Sequence, residues 1–572
     1  MTITDFDSIF LHIGGFGRYQ MLLFAANCLM CSILAFVYFG QFFMTLTPPH
    51  WCRPPAEVLQ LNLTPAEVKR LTVPVDPRGG DFVRCARYQV DFRQVVESND
   101  SWPDTSWPTT TCTNGWQYDY SLYYPTITSQ LDWVCDQDWK PTLAQSLFFV
   151  GSLVGSPVLG WAADSWGRLP VIVLTNVVGG VAGICSAFCS SFASFTVFRF
   201  IVGMTYDTHY NAVYILLLEY VSSEYRSIMG NVPILTFLTG AMCAMPWVAW
   251  GLADWSLFAV SMHTPQLFCL FFYWMLPESA RWLLGQGRVE DTVRIIRRAA
   301  KVNGRTLSPR VLQDLQDFGE RRMEEHTENV TVLDLVKTPI LRRRFLVLCL
   351  MWVTVGIAYD AHMRNTANIG PNVFFTFTLA GFVELPADLL TMLFMEKLGR
   401  RHTLVWTVVV GGLSCLAVAA TPTGEDAAIM VLAMVGRFMI TMAMNVGMQY
   451  QVEVLPTVAR GQGMAFIHTV GFLAAFVSPY IVYLSKFGHL VPYTILGVVT
   501  IVGGFVCVLL PETLDQKLPD SLHDGETFFS DQAYCYNPCA SYPHHVPVGE
   551  KESPPDEPMP DTPLQGYADS HI

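Results

Sequence analysis

Long apolar segments separated by short polar stretches dominate the hydropathy pattern of this chain. A segment of about 20 apolar residues is long enough to cross a bilayer core roughly 30 Å thick. Backbone amides in lipid must bond within their own segment, so long apolar segments there form helices. The sequence predicts twelve such helices, at 20–46, 142–163, 170–190, 194–218, 228–250, 256–276, 345–362, 372–396, 403–421, 427–450, 462–485 and 490–510.

The order of these segments predicts an all-α membrane protein with two six-helix halves and a large extracellular loop between helices 1 and 2. The predicted parts are an N-terminus at 1–19, a first membrane helix at 20–46, the loop at 47–140, membrane helices 2–6 in 141–278, a linker at 279–344, membrane helices 7–12 in 345–510 and a tail at 511–572. Within the linker, Val289–Val302 and Pro309–Glu325 have the periodicity of amphipathic surface helices. The tail is rich in Pro, Asp and Ser, which predicts a mostly disordered segment.

Composition and charge agree with a lipid surrounding. Only 15% of the 572 residues are charged and 51% are hydrophobic, whereas a soluble domain carries about 25% charged residues. The linker holds about fourteen Lys and Arg residues, which places it in the cytoplasm by the positive-inside rule. We therefore predict a multi-pass plasma-membrane protein with both termini in the cytoplasm and the loop outside the cell.

Several classes of function are excluded by what the sequence lacks. The net charge is −13 and no basic face accompanies a soluble fold, so a nucleic-acid partner is not expected. The sequence has no Walker loop, which argues against ATP-driven transport. It also has no Ser-His-Asp order and no metal-ligand spacing, so we predict no enzyme activity, metal or cofactor.

The loop carries the residues expected of an extracellular segment. Its four cysteines are Cys52, Cys85, Cys112 and Cys135. An oxidising compartment favours disulfides, and four cysteines predict two bonds in any of three pairings. Asn62 and Asn99 each begin a glycosylation sequon, and the proline that follows the first sequon favours Asn99.

Two charged motifs recur at matching places in the two halves, as in transporters built from repeats. After the second membrane helix comes Gly160-x-x-x-Asp164-x-x-Gly167-Arg168-x-Pro170, and after the eighth comes Glu396-x-x-Gly399-Arg400-Arg401. The fourth helix ends in a Glu that precedes an Arg by seven positions, and the tenth helix repeats this spacing, with Glu219 and Arg226, then Glu453 and Arg460.

These repeated residues predict a conformational latch. Glycine permits a tight reversal between two helices, Arg168 is placed to reach Glu219, and Asp164 is placed to hold Arg226 or a helix N-terminus. Such pairs would lock the halves together while the outer side is open, and would break during a rocking motion. The alternative is that the charges only orient the helices at the membrane surface. The predicted latch residues are Asp164, Gly167, Arg168, Glu219, Arg226, Glu396, Arg400, Glu453 and Arg460.

Further motifs, from Phe6 to Thr513, resemble those of one known family, and the resemblance extends over residues 6 to about 522. They are Phe6-Asp7, Gly14-Gly15-Phe16-Gly17-Arg18-Tyr19-Gln20, Thr47-Pro48-x-His50-x-Cys52-Arg53-x-Pro55, Cys112-x-x-Gly115-Trp116-x-Tyr118-Asp119, Thr126-Ile127, Val134-Cys135, Pro277-Glu278-Ser279-x-Arg281-Trp282-Leu283 and Pro511-Glu512-Thr513. The chain resembles the organic cation, organic anion and carnitine transporter family of the major facilitator superfamily. The last two motifs are shared with sugar transporters, and the large cysteine-bearing loop separates the family from them.

Ionisable residues within the apolar segments are candidates for function, because burying them is costly. They are Asp207, Asp360, Glu384, Asp388 and Arg437. The resemblance implies that Glu384 and Arg437 match a Glu and an Arg of the family. They form either a structural ion pair or a pair that changes when substrate binds.

The resemblance also implies an aromatic wall. Trp352 and Tyr359 match aromatic positions of the family's binding cavity, and Asp360 follows Tyr359. An aromatic wall beside a carboxylate suits an amine or quaternary ammonium. The alternatives are ordinary helix packing for the aromatic residues and a solvated position at the outer mouth for Asp360.

Two positions depart from the family pattern. Members of the cation branch often carry a basic residue where this chain has Asp207. Seven residues before Pro479, the cation branch tends to have an Asp and the other branches an Arg, whereas this chain has Phe472. His468, one turn earlier, is a candidate contact for substrate or proton.

The predicted function is secondary transport of small organic ions, namely cationic or zwitterionic amines, by alternating access. No conspicuous arginine other than Arg437 is expected to face the buried carboxylates, so the predicted cavity is negative. The expected partners are the organic ion, the lipid bilayer and a coupling ion. The alternatives are an organic anion carrier and a ligand-binding receptor that has lost transport, and the intact repeated motifs argue against the receptor.

Overall fold

A computed structural model describes residues 8–61, 63–75, 82–97, 103–324, 331–370, 372–422, 424–488, 490–514, 516, 518–519 and 521–527. Asn62, Asn99 and the tail beyond 527 lie outside this set, so the predictions of glycosylation and of a disordered tail remain predictions. The described chain begins with a short helix and a long apolar one: α1 (Ser8–Ile13) and α2 (Arg18–Met44). We call the end of the molecule that carries 47–140 the loop side, and the opposite end the linker side.

The loop folds as a small unit of short elements. In chain order they are β1 (His50–Cys52), α3 (Ala56–Leu59), α4 (Pro65–Thr72), β2 (Ala86–Tyr88), α5 (Phe92–Glu97), β3 (Thr109–Thr111), β4 (Trp116–Tyr118), α6 (Ile127–Gln130) and a 3₁₀ turn (Cys135–Gln137). Strands β1 and β4 pair antiparallel with His50 opposite Tyr118, and β2 pairs antiparallel with β3. Local chemistry explains α4, because Thr64 and Glu67 form a capping box at its N-terminus and Pro65 occupies its first turn.

Two disulfides and several side-chain hydrogen bonds fix the loop. The bonds join Cys52 to Cys112 and Cys85 to Cys135, which confirms the predicted number and selects one of the three pairings. The loop is tied to the membrane helices at Tyr124, Thr126 and Gln130. Their contacts are Tyr124 Oη to the Phe43 carbonyl at 2.9 Å, Thr126 Oγ1 to the Leu46 carbonyl at 2.7 Å, and Trp255 Nε1 to Gln130 Oε1 at 2.7 Å.

The first half of the bundle combines α2 with the helices that follow the loop. They are α7 (Trp139–Trp166), α8 (Arg168–Ser186), α9 (Phe192–Leu218), α10 (Ser223–Pro233), a π-helical segment (Ile234–Leu238), α11 (Thr239–Leu252), α12 (Trp255–Leu267), a 3₁₀ segment (Phe268–Phe271) and α13 (Phe272–Met275). The irregular segments follow Pro233 and Pro265, because proline removes a backbone donor inside a helix.

Glycines let α7 and α9 pack with their backbones in close approach. A Cβ atom on Gly155 would lie 2.0 Å from the Met204 carbonyl, and one on Gly203 would lie 2.0 Å from the Phe148 carbonyl. Small residues of this kind allow two membrane helices to approach closely. The close packing also brings Ser156 on α7 within hydrogen-bond distance of Asp207 on α9.

The linker and the second half complete the described chain. The linker contains α14 (Ala280–Gly285), α15 (Val289–Val302), α16 (Pro309–Glu324) and α17 (Asp334–Lys337). The second half contains α18 (Pro339–Arg364), a 3₁₀ turn (Asn365–Asn368), α19 (Val373–Phe382), α20 (Glu384–Leu398), α21 (Arg400–Ala420), α22 (Asp426–Val454), α23 (Arg460–Tyr483), a 3₁₀ turn (Leu484–Phe487) and α24 (Leu490–Cys507), and α25 (Leu522–Thr527) follows it.

Ten helices in the described part of the chain are long and apolar enough to cross a membrane. The predicted spans at 194–218 and 256–276 fall on α9 and on α12 to α13, which are helical but are not among these ten. The count of twelve therefore stays a prediction. The two halves meet along α7 with α23 and along α11 with α19, and the residues considered below lie on or near these contacts.

The disulfides predict a requirement for loop folding. We expect Cys112→Ser to destabilise the loop by about 2–5 kcal/mol, as removal of a disulfide from a small extracellular unit typically does, and to retain the protein in the secretory pathway. The measurement is surface biotinylation against total protein. Cys349→Ser, at a free cysteine buried in α18, is the control and should reach the surface. Normal surface delivery of Cys112→Ser would contradict this role.

Candidate functional site

On the linker side, a half-buried carboxylate closes the turn between α7 and α8. Gly167 has φ of +104°, and a Cβ there would lie 2.4 Å from Glu278 Oε2. Glu278 accepts the backbone N–H groups of Arg168 at 2.8 Å and Leu169 at 3.2 Å. A carboxylate at these positions satisfies free amides and complements the N-terminal dipole of α8.

The second half repeats this arrangement. Gly399 has φ of +83°, and a Cβ there would lie 2.5 Å from Glu512 Oε2. Glu512 accepts the backbone N–H groups of Arg400 at 2.8 Å and Arg401 at 3.1 Å. Sequence reasoning placed Glu278 and Glu512 only in the family signatures. Each glutamate follows the last predicted apolar segment of its half, which ends at 276 or 510, by the same number of positions. This matching position was the signal in the sequence for a shared role.

The predicted latch residues form pairs within each half. Arg168 pairs with Asp164 at 3.1 Å, and Arg400 pairs with Glu453 at 3.1 Å. Glu219 interacts electrostatically with Arg168, and burial raises the pKa of its carboxyl while the Ser279 hydrogen bond and that arginine act in the opposite direction. These pairs join helices of the same half, so in this conformation they stabilise each half. The predicted latch applies to a conformation with the outer side open and therefore stays a prediction.

The remaining predicted latch residues lie at the same ends of the helices. Arg226 Nε donates to the Leu218 carbonyl at 3.3 Å, and Arg460 Nε donates to the Leu455 carbonyl at 3.4 Å. Both arginines thus contact the last carbonyls of the preceding helix, where a cation is favourable. Glu396 is exposed at the end of α20.

On the loop side, Asp360 lies at the centre of a network that joins the halves. The residue is 1% exposed. Arg364 Nε donates to it at 2.6 Å and Ser478 Oγ at 2.6 Å, both from the second half, and Tyr38 Oη donates at 2.8 Å from α2 of the first. Arg364 also donates to Gln145 Oε1 on α7 at 2.7 Å.

This network corrects two expectations. Asp360 does not lie at a solvated mouth, and an arginine other than Arg437 does face a buried carboxylate. Arg364 follows Asp360 by four residues, the spacing at which helical side chains form ion pairs, so the sequence contained the signal. The negative cavity predicted from Asp207, Asp360 and Glu384 therefore loses the contribution of Asp360.

Other contacts between the halves also lie toward the loop side. Asp138, just before α7, accepts from Tyr483 at 2.6 Å and from Lys486 at 2.5 Å. The rings of Phe42 and Phe377 stack with centroids 5.6 Å apart. The structure thus shows a conformation in which the loop side is closed.

Asp207 occupies the middle of α9 and is partly exposed. Ser156 Oγ on α7 donates to it at 2.7 Å, and Asn211 Nδ2 on α9 donates at 2.8 Å. His468 on α23 interacts with it electrostatically from the other half. No Lys or Arg within the described residues forms an ion pair with Asp207, which distinguishes it from Asp360.

Trp352 and His468 form an aromatic pair in the second half. Their rings stack with centroids 4.9 Å apart and an interplanar angle of 19°. A Cβ on Gly471 would lie 2.5 Å from Trp352 Nε1, so this glycine makes room for the indole. Phe472 is partly buried on α23, one turn after His468.

Glu384 and Arg437 form a buried ion pair, in agreement with the resemblance. Tyr359 donates its hydroxyl to Glu384 at 2.8 Å, and the Arg437 guanidinium lies 4.0 Å from the centroid of the Tyr359 ring. Asp388, one turn after Glu384, accepts from Asn445 at 2.5 Å. Glu384 is thus neutralised, whereas Asp388 has an amide as its partner.

Comparison with known proteins identifies the family. The model of the sugar (and other) transporter family matches residues 107–520. Human organic cation/carnitine transporter 2 is 31% identical over 541 residues, 91% of this chain and 93% of that protein. Mouse solute carrier family 22 member 3 is 31% identical over 548 residues, 92% and 97% of the two chains.

The chain belongs to the family of organic cation and carnitine transporters. The resemblance to this family that the sequence motifs indicated is therefore confirmed. The organic cation transporter protein of Drosophila melanogaster, 30% identical over 528 residues, adds a relative from an insect.

Solved structures share the fold of this transporter. The partially occluded inward open conformation of the xylose transporter XylE from E. coli has a TM-score of 0.57 at 12% identity, with 87% of this chain and 100% of that chain covered. The inward open conformation of the same protein has a TM-score of 0.56 at 15% identity, with 88% and 99% covered. The transporter thus has the predicted major facilitator fold.

The loop-side network predicts a stability cost for an unpaired charge. Arg364→Gln leaves Asp360 buried without a cation, and breaking a buried pair costs about 3–5 kcal/mol. We expect a lower midpoint of thermal unfolding for the purified transporter, largely recovered in Asp360→Asn/Arg364→Gln. The control is Arg288→Gln, which removes an exposed partner of Asp291 and should cost less than about 1 kcal/mol. Equal shifts of the unfolding midpoint in Arg364→Gln and in the control Arg288→Gln would refute the prediction.

The linker-side pairs predict a rate effect. We expect Arg168→Ala and Arg400→Ala to reach the surface but to lower uptake about tenfold, the equivalent of about 1.4 kcal/mol, because each half must move as one body. The measurement is initial uptake of a radiolabelled organic ion per surface-labelled molecule. Arg294→Ala, which removes an exposed linker cation, should keep the parental rate. Parental uptake in both test variants would contradict the role.

Proposed function

We propose that this transporter carries small organic cations and zwitterionic amines across the plasma membrane by alternating access. The central space between its halves binds the substrate, and both termini lie in the cytoplasm. The observation that carries the proposal is Asp207, a partly exposed carboxylate in the membrane that has hydrogen-bond donors but no Lys or Arg partner among the described residues. A substrate ammonium would supply the missing cation.

The balance of charge around the space supports a positive substrate. Asp360 and Glu384 are neutralised by Arg364 and Arg437. Arg199, the further buried arginine in α9, is 0% exposed and donates to Gln41 Oε1 at 2.9 Å, so it is not accessible to a substrate in this conformation. The carboxylates without such partners, Asp207 and Asp388, are partly exposed. The accessible charge is therefore negative, which attracts a cation and repels a dianion.

Aromatic side chains supply the apolar part of the proposed site. Trp352 and His468 stack in the second half, while Tyr206 neighbours Asp207 in the first and its ring lies 5.4 Å from that of Tyr38. An ammonium over such a ring gains about 0.5–1 kcal/mol when exposed and about 2 or more when desolvated. A zwitterionic amine would place its carboxylate toward a protonated His468. The names of the relatives, which include organic cation and carnitine transporters, agree with this substrate class.

The test compares uptake of tetraethylammonium, carnitine and a radiolabelled dicarboxylate in cells that express the transporter. We expect uptake of the first two and none of the dicarboxylate. Asp207→Asn should raise the concentration for half-maximal uptake of tetraethylammonium at least tenfold, because it removes the counter-charge of the ammonium. Asp426→Asn, at an exposed carboxylate in the first turn of α22, is the matched control.

Each outcome decides among the alternatives. Dicarboxylate uptake alone would establish the organic anion carrier, and parental affinity in Asp207→Asn would exclude this residue as the cation site. Binding of tetraethylammonium without uptake in reconstituted vesicles would favour the receptor.

A further inference from the structure

The linker-side end of α18 carries a shallow groove on the outside of the bundle. The groove has a volume of about 320 Å³. It is lined by Pro339, Arg342, Arg343, Leu346, Val347 and Leu350. Leu346 and Leu350 are 56% and 45% exposed, whereas Val347 is 8% exposed and lies deeper. The lining positions recur every three or four residues, so they share one face of the helix.

The opposite face of the same helix is used by the protein itself. Leu341, Phe345 and Leu348 are buried in the core of the second half, and Arg344 Nη1 donates to the Gly525 carbonyl at 2.8 Å. The groove is thus on the face that α18 turns away from its neighbours, and its two leucines remain exposed within the described part of the chain.

Arg342 and Arg343 supply positive charge at one end of the groove, and both are exposed. Neither guanidinium has a hydrogen bond or an ion pair with another described residue, whereas the nearby Lys337 is paired with Asp334. A guanidinium presents a planar fork of donors that matches a phosphate group. The two side chains are therefore available to an anion from outside the protein.

The order of the lining residues along α18 matches the order of groups in a phospholipid. The arginines precede the predicted apolar segment, which begins at 345, and Leu346 and Leu350 lie within it. From Arg343 to Leu350 the helix rises about 10 Å, which is less than the roughly 15 Å of hydrocarbon in one leaflet. The positive-inside rule predicts that this end faces the cytoplasm, and the cytoplasmic leaflet is the one that carries anionic lipids.

We propose that this groove binds an anionic phospholipid of the cytoplasmic leaflet. The lipid phosphate accepts hydrogen bonds from Arg342 and Arg343, and one acyl chain lies over the exposed leucines. A net negative headgroup is preferred to a zwitterionic one, because the positive group of a choline headgroup would lie near two arginines. The bound lipid holds the linker-side end of α18 and thereby stabilises the second half of the bundle.

The other occupant to consider is the acidic tail that follows α25. Glu526 accepts the backbone N–H groups of Ile340 and Leu341 at 2.9 and 2.8 Å, so the described chain ends close to the start of α18. The position of the leucines favours the lipid, because they lie within the apolar segment and a carboxylate-rich tail would have to enter hydrocarbon to reach them.

The experiment is native mass spectrometry of the full-length transporter in detergent, titrated with phosphatidylserine or with phosphatidylcholine of the same acyl chains. We expect one phosphatidylserine to bind with a dissociation constant at least about tenfold below that of phosphatidylcholine. Arg342→Gln/Arg343→Gln should abolish this preference, since each arginine beside an anionic headgroup contributes about fivefold in affinity. Arg294→Gln/Arg297→Gln removes the same charge from exposed positions of α15 and should keep the preference.

A second pair of variants tests the groove rather than the charge. Leu346→Trp fills the groove and leaves both arginines in place, so we expect the affinity for phosphatidylserine to fall at least about threefold. Leu413→Trp, at a leucine of α21 that is 53% exposed, should keep the parental affinity. Phosphatidylserine should also raise the midpoint of thermal unfolding of the parental transporter and leave that of Arg342→Gln/Arg343→Gln unchanged, because a ligand that binds only the folded state stabilises it.

Four results would overturn the proposal, and none of them depends on the transported substrate. Equal binding of the two lipids would show an ordinary lipid-facing surface. Equally tight binding of glycerophosphoserine, which has the headgroup without acyl chains, would show a phosphate site that does not use the groove. Parental binding in Arg342→Gln/Arg343→Gln would place the lipid elsewhere. Binding of phosphatidylserine that becomes tenfold tighter in Asp556→Asn/Glu557→Gln/Asp561→Asn, which removes negative charge from the tail, would assign the arginines to the tail.

Discussion

The need to compensate charge within the membrane organises the central part of this transporter. Asp360 and Glu384 are 1% and 3% exposed, and each is paired with an arginine of its own half. The first pair also forms hydrogen bonds with the other half, since Tyr38 donates to Asp360 and Gln145 accepts from Arg364. A buried charge needs hydrogen-bond partners, and because some of these partners lie on the other half, the hydrogen bonds hold the loop side closed. When that side opens, the same groups must form hydrogen bonds with water instead.

The linker side uses backbone capping for a different purpose. Glu278 and Glu512 each satisfy the first amides of the helix after a glycine turn, so α8 and α21 are anchored to segments beyond the last membrane helix of their half. This anchoring is internal to a half and survives any movement between halves. The repeated Gly-Arg motifs therefore help each half to move as a rigid body, and a rocking mechanism requires such rigid halves.

How much the sequence could predict follows from the range of the signals involved. The apolar segments indicated an all-α membrane protein and the loop cysteines its two disulfides, because hydropathy and cysteine number are local properties. The major facilitator fold was indicated by the repeated motifs and the family resemblance. The pairing of Cys52 with Cys112 depended on the register of β1 and β4, which no local signal gives. The role of Asp360 was missed because its partners include Tyr38, 322 positions away. Arg364 was a local signal that was overlooked.

The two departures from the family pattern lie on helices that share one neighbour. The eleventh helix, here α23, carries Phe472 where the resemblance leads us to expect a charge, and α9 carries Asp207 where a basic residue is common. Both helices pack against α7, whose Ser156 donates to Asp207 at 2.7 Å. The charge on α9 is therefore held by a hydrogen-bond donor from a neighbouring helix, whereas the position on α23 holds an uncharged ring that needs no such partner.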